Sequence, residues 1–419
     1  MAALGLSLVL PIAVRADDWP QWRGPNRDGV WNETGIVESF PPDGLKVRWR
    51  VPVGRGWSSP VVAKGRVYVT DVQLAGPTAR ERVLCFEETT GKLLWSRPYA
   101  VDYPEWAFDP NAGGPRATPI VRDGKLFTLG CLGHLFCLNA AKGVVVWKKS
   151  LAKEYGLEAF SGITASPLIE GELLILQISA KPSACVVAFE KNTGKEAWRA
   201  LNDSFTYSPP IILTAGGKRQ LIVWTQEAVT SLDPATGKSW WREQLRTSGD
   251  VAVSTPVFSN DRLLVAGLMM KLDADKPAAS VLWPETRAVS KRVLSNTSTA
   301  LLQGDYVFSA KTSGELVCLE AGTGKEVWQT NTVTSLKNGS SIHLTLNGDS
   351  VLLFTDQGNL IRARLSSQGY QEVSRVHLLD ATYPFNGRNV VWPPPAYANR
   401  HVFARNDQEL ICASLAAKP

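Results

Sequence analysis

Hydrophobic and polar positions alternate along most of this chain in short runs, as in Arg66-Val67-Tyr68-Val69-Thr70 and Lys125-Leu126-Phe127-Thr128-Leu129. A period of two puts successive side chains on opposite faces and predicts half-buried strands. The runs recur inside a fixed frame. Thr90-Gly91-Lys92-Leu93-Leu94-Trp95 returns as Lys142-Gly143-Val144-Val145-Val146-Trp147, Thr193-Gly194-Lys195-Glu196-Ala197-Trp198, Thr236-Gly237-Lys238-Ser239-Trp240-Trp241 and Thr323-Gly324-Lys325-Glu326-Val327-Trp328. In each of these five copies Trp follows Gly by four residues. A second signature precedes them: Ser59-Pro60, Thr118-Pro119, Ser166-Pro167, Ser208-Pro209 and Thr255-Pro256, each leading into apolar residues.

Each unit reads as four short strands. Proline at a strand start loses no ladder bond, and Lys64-Gly65 or Asp123-Gly124 makes the first hairpin. Thr-Gly-Lys makes the last turn, with Gly free to take a positive φ, and Trp falls in the fourth strand. Radially stacked four-stranded sheets of this size form a propeller. Eight units begin near Ser58, Ala117, Ala165, Tyr207, Ser254, Thr297, Ile342 and Pro395. The fifth is degenerate, with Met269, Met270 and residues 274–277 inserted and Trp283 as its candidate anchor; the seventh lacks a Trp, and residues 371–376 supply its last strand. The eighth stops after three strands, while a spare strand at 46–52, carrying Trp49, precedes the first unit. The expected fold is therefore an all-β, eight-bladed β-propeller of four-stranded antiparallel blades, closed by N- and C-terminal strands in one blade, which removes exposed edges. Trp95, Trp147, Trp198, Trp241 and Trp328 are expected to occupy equivalent buried sites between blades.

Composition changes this picture little. The 419 residues are 44% hydrophobic and 20% charged, an ordinary globular balance. The net charge of +6 is spread without a polybasic run, so no nucleic-acid partner is expected. Residues 2–14 are apolar or small, and Val14-Arg15-Ala16 before Asp17 resembles a cleavage site. The expected division is a signal peptide at 1–16, an N-terminal extension at 17–45 and the propeller at 46–419, in a periplasmic or secreted monomer with no membrane span.

With the Thr-Gly-Lys-x-x-Trp turns in view, the chain resembles the PQQ-like (quinoprotein-type) β-propeller repeat family over residues 46–415, through tryptophan-docking motifs that follow a buried small residue by ten positions. Asp18-Trp19-Pro20-Gln21-Trp22-Arg23-Gly24-Pro25 also resembles the N-terminal segment of bacterial members. The resemblance implies one of two branches. One holds PQQ-dependent alcohol and sugar dehydrogenases, with the quinone near the channel mouth, a vicinal disulfide in many members, a Ca²⁺ bound by carboxylate and amide oxygens, and a catalytic Asp. The other holds non-catalytic propellers, including the lipoprotein of the outer-membrane β-barrel assembly machinery.

The residues themselves favour the second branch. Cys85, Cys137 and Cys318 each precede an anchor Trp by ten residues, and Cys412 takes the matching place in the last unit. They read as small buried hydrophobes in separate sheets, too far apart for bridges. No Cys-x-x-Cys or adjacent pair occurs, so neither zinc nor a vicinal disulfide is indicated. His134, His343, His377 and His401 show no ligand spacing. Site candidates come from the loops leading into the innermost strands, which rim one mouth of the channel: Trp57, Ser58, Arg116, Thr118, Thr164, Tyr207, Asn296, His343, Asn386 and Arg388. These loops are rich in hydroxyl, amide, guanidinium and aromatic groups and contain no acid, although outer acids such as Asp102, Glu105, Asp109 and Asp250 lie near in sequence. Structural use of the Ser and Thr residues at strand starts competes with a binding role. The expectation is a non-catalytic module binding a protein, peptide or glycan, with no catalytic residue, metal or cofactor. The alternative is a quinoprotein dehydrogenase carrying PQQ and Ca²⁺.

Overall fold

The computed structural model describes residues 17–75, 78–104, 114–157, 162–247, 252–284, 294–295 and 297–417. The expected leader at 1–16 lies outside them, as do Glu105, Asp109, Asp250 and Asn296. Eight four-stranded antiparallel sheets follow one another round a ring. Blade 1 comprises Val61–Ala63, Arg66–Ala75, Thr78–Glu87 and Leu93–Val101 in that order. One short helix, Leu151–Tyr155, and one extra hairpin, Tyr383–Phe385 with Arg388–Val390, interrupt the pattern among the described residues.

Local chemistry explains the repeats. Lys64-Gly65, Asp123-Gly124 and Asn386-Gly387 all have positive φ at both positions, the condition for a two-residue turn whose twist matches its strands. Middle strands are covered on both faces by neighbouring blades, and Ser350–Thr355 is buried at every position. Fourth strands form the outer rim and expose most of their residues, as in Leu93–Val101. The innermost strands of neighbouring blades approach one another and line the channel.

Ring closure runs as the leftover strand requires. Val47–Pro52 pairs antiparallel with Glu409–Ser414, Trp49 opposite Cys412 and Val51 opposite Leu410. The first and last parts of the propeller thus share blade 8, whose other strands are Ala396–Ala398 and His401–Arg405. Fully buried Arg405 adds a stitch across this seam by donating to Thr70 O at 2.7 Å and Gly54 O at 2.6 Å.

The anchors behave alike except for Trp241 and for Trp328, which stacks on no turn glycine because Gly369 has open space beside it. Trp49, Trp95, Trp147, Trp198 and Trp283 each stack on the turn glycine of the next blade: Gly91, Gly143, Gly194, Gly237 and Gly324. A Cβ at any of these glycines would lie 2.6–2.9 Å from the indole, so no side chain fits there. Each indole N–H donates to the carbonyl three residues before that glycine, from Glu88 for Trp49 to Ala321 for Trp283. Trp328 donates likewise to Ser366 O. Trp241 departs: the following turn, in the degenerate fifth blade, has no glycine, and its indole donates to Gln220 Oε1 within its own blade. Burial is also less than the repeat suggests. Trp198 is 8% exposed, but Trp95, Trp147, Trp241 and Trp328 are half-buried, because one indole edge lies at the outer rim. All six cysteines are free and buried, and Cys85, Cys137, Cys318 and Cys412 sit opposite Trp95, Trp147, Trp328 and Trp49 in register.

The N-terminal extension is the part least foreseen. It closes the end of the channel at the turns between first and second strands. Trp19 exchanges backbone bonds with Val62 in blade 1, Pro20 O accepts from Val121 in blade 2, Leu346 in blade 7 bonds to Gly29 and Trp31, and Val37 bonds to Leu415 beside blade 8. Trp19 and Trp31 pack either side of Tyr397, at 5.7 and 5.4 Å between ring centroids. From this floor two side chains reach the starts of innermost strands: Trp22 donates to Thr255 Oγ1 at 2.9 Å and Arg27 to Pro167 O at 2.7 Å.

Candidate functional site

The opposite end is the mouth, rimmed by the loops that enter the innermost strands. The backbone N–H groups of Trp57 and Ser58 both reach Pro115 O, which holds the first loop against the second. Arg116 follows. Its guanidinium lies 4.3 Å from the Trp57 ring and 5.5 Å from that of Tyr207, and it donates to the Tyr207 hydroxyl at 2.9 Å. Residues from blades 1, 2 and 4 thereby meet across the rim. Aromatic contacts extend the cluster: Trp57 meets Tyr383 edge-on at 5.0 Å, and Trp392 packs on Trp57 at 6.5 Å and on Phe385 at 4.9 Å. Phe205 stacks beside Tyr207 at 6.0 Å. A cation held between aromatic faces is stabilised by their quadrupoles, and Trp57, Arg116 and Tyr207 are each half-buried.

The remaining candidates separate by use. Ser58 Oγ bonds to Thr70 O and Thr70 Oγ1, and Thr118 Oγ1 accepts from the Ser59 N–H, so both hydroxyls serve strand starts. Ser166 Oγ does the same for the Thr118 N–H, and Thr299 Oγ1 for Thr255, making hydroxyls a recurrent link between blades. Thr164 is buried at the start of blade 3, and its hydroxyl has no partner. His343 Nε2 meets Trp392 O at 3.0 Å, and burial pushes its pKa down to about 4, with nearby Arg23 acting in the same direction. Burial thus favours the neutral ring, which meets a backbone carbonyl. Asn386 is exposed at the tip of the extra hairpin. Arg388 instead turns inward, pairing with Asp356 at 2.6 Å and donating to Ser340 Oγ at 3.1 Å.

Asp356 was not foreseen as a neighbour of the rim, since it comes from the turn between second and third strands. Trp392, Tyr383 and Phe385 were missed as well. The signals were present in Tyr383-Pro384-Phe385-Asn386-Gly387 and Trp392-Pro393-Pro394-Pro395, a hairpin turn and a stiff stretch holding aromatics beside the mouth. Three described acids near the mouth are committed. Asp356 serves Arg388 and Thr334; Asp71 holds Arg82 through two bonds and the Gly54 N–H; Asp407 accepts from Gly56. Among the described residues, no three of His, Cys, Asp or Glu are placed to hold a metal ion.

Comparison with known proteins follows this geometry. The profile of the family described as "Outer membrane protein assembly factor BamB" matches residues 79–206 and 182–418. The chain belongs to this family. Within it, BamB of Shewanella oneidensis is 22% identical over 372 residues, spanning 86% of this chain and 76% of that protein. BamB of Burkholderia pseudomallei is 21% identical over 238 residues, 54% of this chain and 58% of that one. Among solved structures, BamB of Moraxella catarrhalis aligns over 88% of this chain and 99% of its own, with TM-score 0.60 and 15% identity. The quinohemoprotein alcohol dehydrogenase of Comamonas testosteroni aligns over 96% of this chain and 81% of its own, with TM-score 0.69 and 13% identity. Identities this low establish the propeller alone, and the fold does not separate a BamB-like factor from a dehydrogenase.

Proposed function

We propose that this chain is an exported, non-catalytic propeller that grips a segment of a partner protein at the channel mouth, as a factor in outer-membrane protein assembly. The observation that carries the reading is the Trp57–Arg116–Tyr207 cluster. Trp, Tyr and Arg are the side chains most often responsible for protein-binding energy, and here they are held in place by one another and by the Pro115 carbonyl. Extended by Trp392, Tyr383 and Phe385, the surface offers stacking faces and one cation, which suits a peptide bearing apolar and acidic groups. Family membership supports a role in assembly, and the apolar leader supports a periplasmic or extracellular setting.

The described residues do not fit the quinoprotein alternative. Ca²⁺ needs six to eight oxygens, normally with carboxylates among them, and Asp71, Asp356 and Asp407 are already engaged by arginines or backbone N–H groups. No two cysteines are adjacent in sequence. No reaction step is derived from that alternative. The test is binding of purified residues 17–419 to outer-membrane assembly proteins of the same host in detergent. Binding that the Trp57→Ala/Arg116→Ala variant loses at unchanged melting temperature is expected. No binding by the native chain, together with dye-linked alcohol or sugar oxidation after addition of PQQ and Ca²⁺, overturns the reading.

A further inference from the structure

We propose that the channel between floor and mouth holds a small oxyanion, of carboxylate or phosphate type, against Arg27 of the N-terminal extension. Arg27 is 7% exposed, and a guanidinium stays protonated even when enclosed. Buried charges are normally paired, because an uncompensated one loses its hydration without replacement. Arg27 receives only neutral partners: Nη1 donates to Pro167 O at 2.7 Å and Gln21 Oε1 at 3.4 Å, Nη2 to Ser166 O at 3.4 Å, and Nε to none. The charge felt most at Arg27 is that of Arg23, a like charge. Arg23 has Asp28 as its acidic neighbour, but that carboxylate caps the Val30 N–H while Arg23 bonds to the Asp28 carbonyl.

Arg405 supplies an internal comparison. It is equally enclosed, yet Nε, Nη1 and Nη2 all donate to backbone carbonyls, and the acids Asp407 and Asp71 offset its charge. At Arg27 no carboxylate among the described residues plays that part. One unused hydroxyl lies close in the chain to an Arg27 partner, among the described residues. Thr164, two residues before Ser166, is 6% exposed and its hydroxyl lacks a partner. A positive charge with an unspent N–H and a second guanidinium nearby form the donor set of an oxyanion site, and a planar fork favours carboxylate or phosphate geometry. The bound anion neutralises the floor and fastens the extension to blade 3.

A ligand that binds only the folded state raises its melting temperature as the site fills. The experiment is thermal unfolding of residues 17–419 in graded phosphate and, separately, acetate, at fixed pH and with ionic strength held constant by chloride. A saturable rise of several degrees is expected in at least one series, and the two series identify which oxyanion the site prefers. Arg27→Gln should abolish the saturable part while leaving the chloride baseline intact; Arg23→Gln should shift its midpoint to higher concentration. A crystal soaked in selenate provides the second readout, with an anomalous selenium peak expected within hydrogen-bond reach of Arg27. Flat curves in both series, an Arg27→Gln curve identical to that of the native chain, or selenate density absent from Arg27 overturns the proposal.

Discussion

The two ends of the channel are closed by different means. At the floor one contiguous segment, 17–40, bonds or packs against innermost strands from six blades, 1, 2, 3, 5, 7 and 8, mostly through backbone pairing and enclosed aromatics. At the mouth the contacts are between side chains that arrive from loops as distant as Trp57 and Trp392, and the central three remain half-buried. Backbone pairing and deep burial couple the floor to the stability of the ring. Stacking at a half-exposed rim couples the mouth to whatever docks there. Under the proposed function, the difference separates a structural end from a recognition end, and substitutions at each should divide the same way.

The largest effect is expected from truncation. Removing everything before residue 55 takes away both the floor and the fourth strand of blade 8, exposing the edge of Glu409–Ser414 and leaving Gly91 without the Trp49 indole. Loss of cooperative unfolding in calorimetry is expected, whereas removal of 17–40 alone should leave a folded ring with a clearly lowered melting temperature. Equal curves for the full and shortest chains would erase the distinction between the ends.

Within the floor, Trp31→Ala removes a 1%-exposed side chain packed on Tyr397 and should destabilise by about 3–5 kcal/mol in denaturant unfolding. The same change at half-buried Trp57 should cost distinctly less.

Legibility in the chain follows the same division. Periodic features could be read because repetition averages out local ambiguity: the Thr-Gly-Lys-x-x-Trp frame located the blades, and the missing strand of blade 8 pointed to Val47–Pro52. Trp241 fell outside the rule because its docking partner belongs to the next blade, and the degenerate turn there lacks the glycine. Residues 17–40 could not be placed, since nothing in Trp19, Trp22 or Arg27 states that their partners are Val62, Thr255 and Pro167. At the mouth, the rim loops chosen from the sequence include Trp57, Arg116 and Tyr207, which meet in the structure, and also Ser58 and Thr118, whose hydroxyls are spent on backbone. Residue type alone does not reveal whether a hydroxyl faces a ligand or an N–H of the next blade.

Acid should sharpen the comparison from the side of the channel. His343 titrates near 6.5 when unfolded and near 4 when folded, because burial disfavours its charged form. Between these values the unfolded chain binds a proton that the folded chain does not, so stability rises with pH across the window and falls as pH drops from 6.5 to about 4. A contribution of about 1–3 kcal/mol is expected. His343→Gln should flatten that part of the pH–stability curve, and an unchanged curve would assign acid sensitivity elsewhere.

The smallest effect on stability and the largest on recognition are expected at Arg116. Its guanidinium lies over the Trp57 ring and donates to the Tyr207 hydroxyl, so removal leaves two half-exposed rings without the cation that spans them. Neither ring depends on Arg116 for its place: the Trp57 N–H is held by Pro115 O, its ring rests on Tyr383 and Trp392, and Tyr207 stacks on Phe205. Cation–π contacts at exposed sites contribute about 0.5–1 kcal/mol, and Arg116→Ala should lower stability by about that much. For a protein segment docked at the mouth the same change removes the charge at the centre of the contact, where a loss of about 2 kcal/mol or more is typical of an anchoring Arg. A roughly thirtyfold weaker Kd by calorimetry is expected, with Arg116→Lys only partly restoring it because an ammonium lacks the planar stacking face. If Arg116→Ala unfolds the ring as readily as Trp31→Ala does, the mouth is as structural as the floor and the recognition surface lies elsewhere.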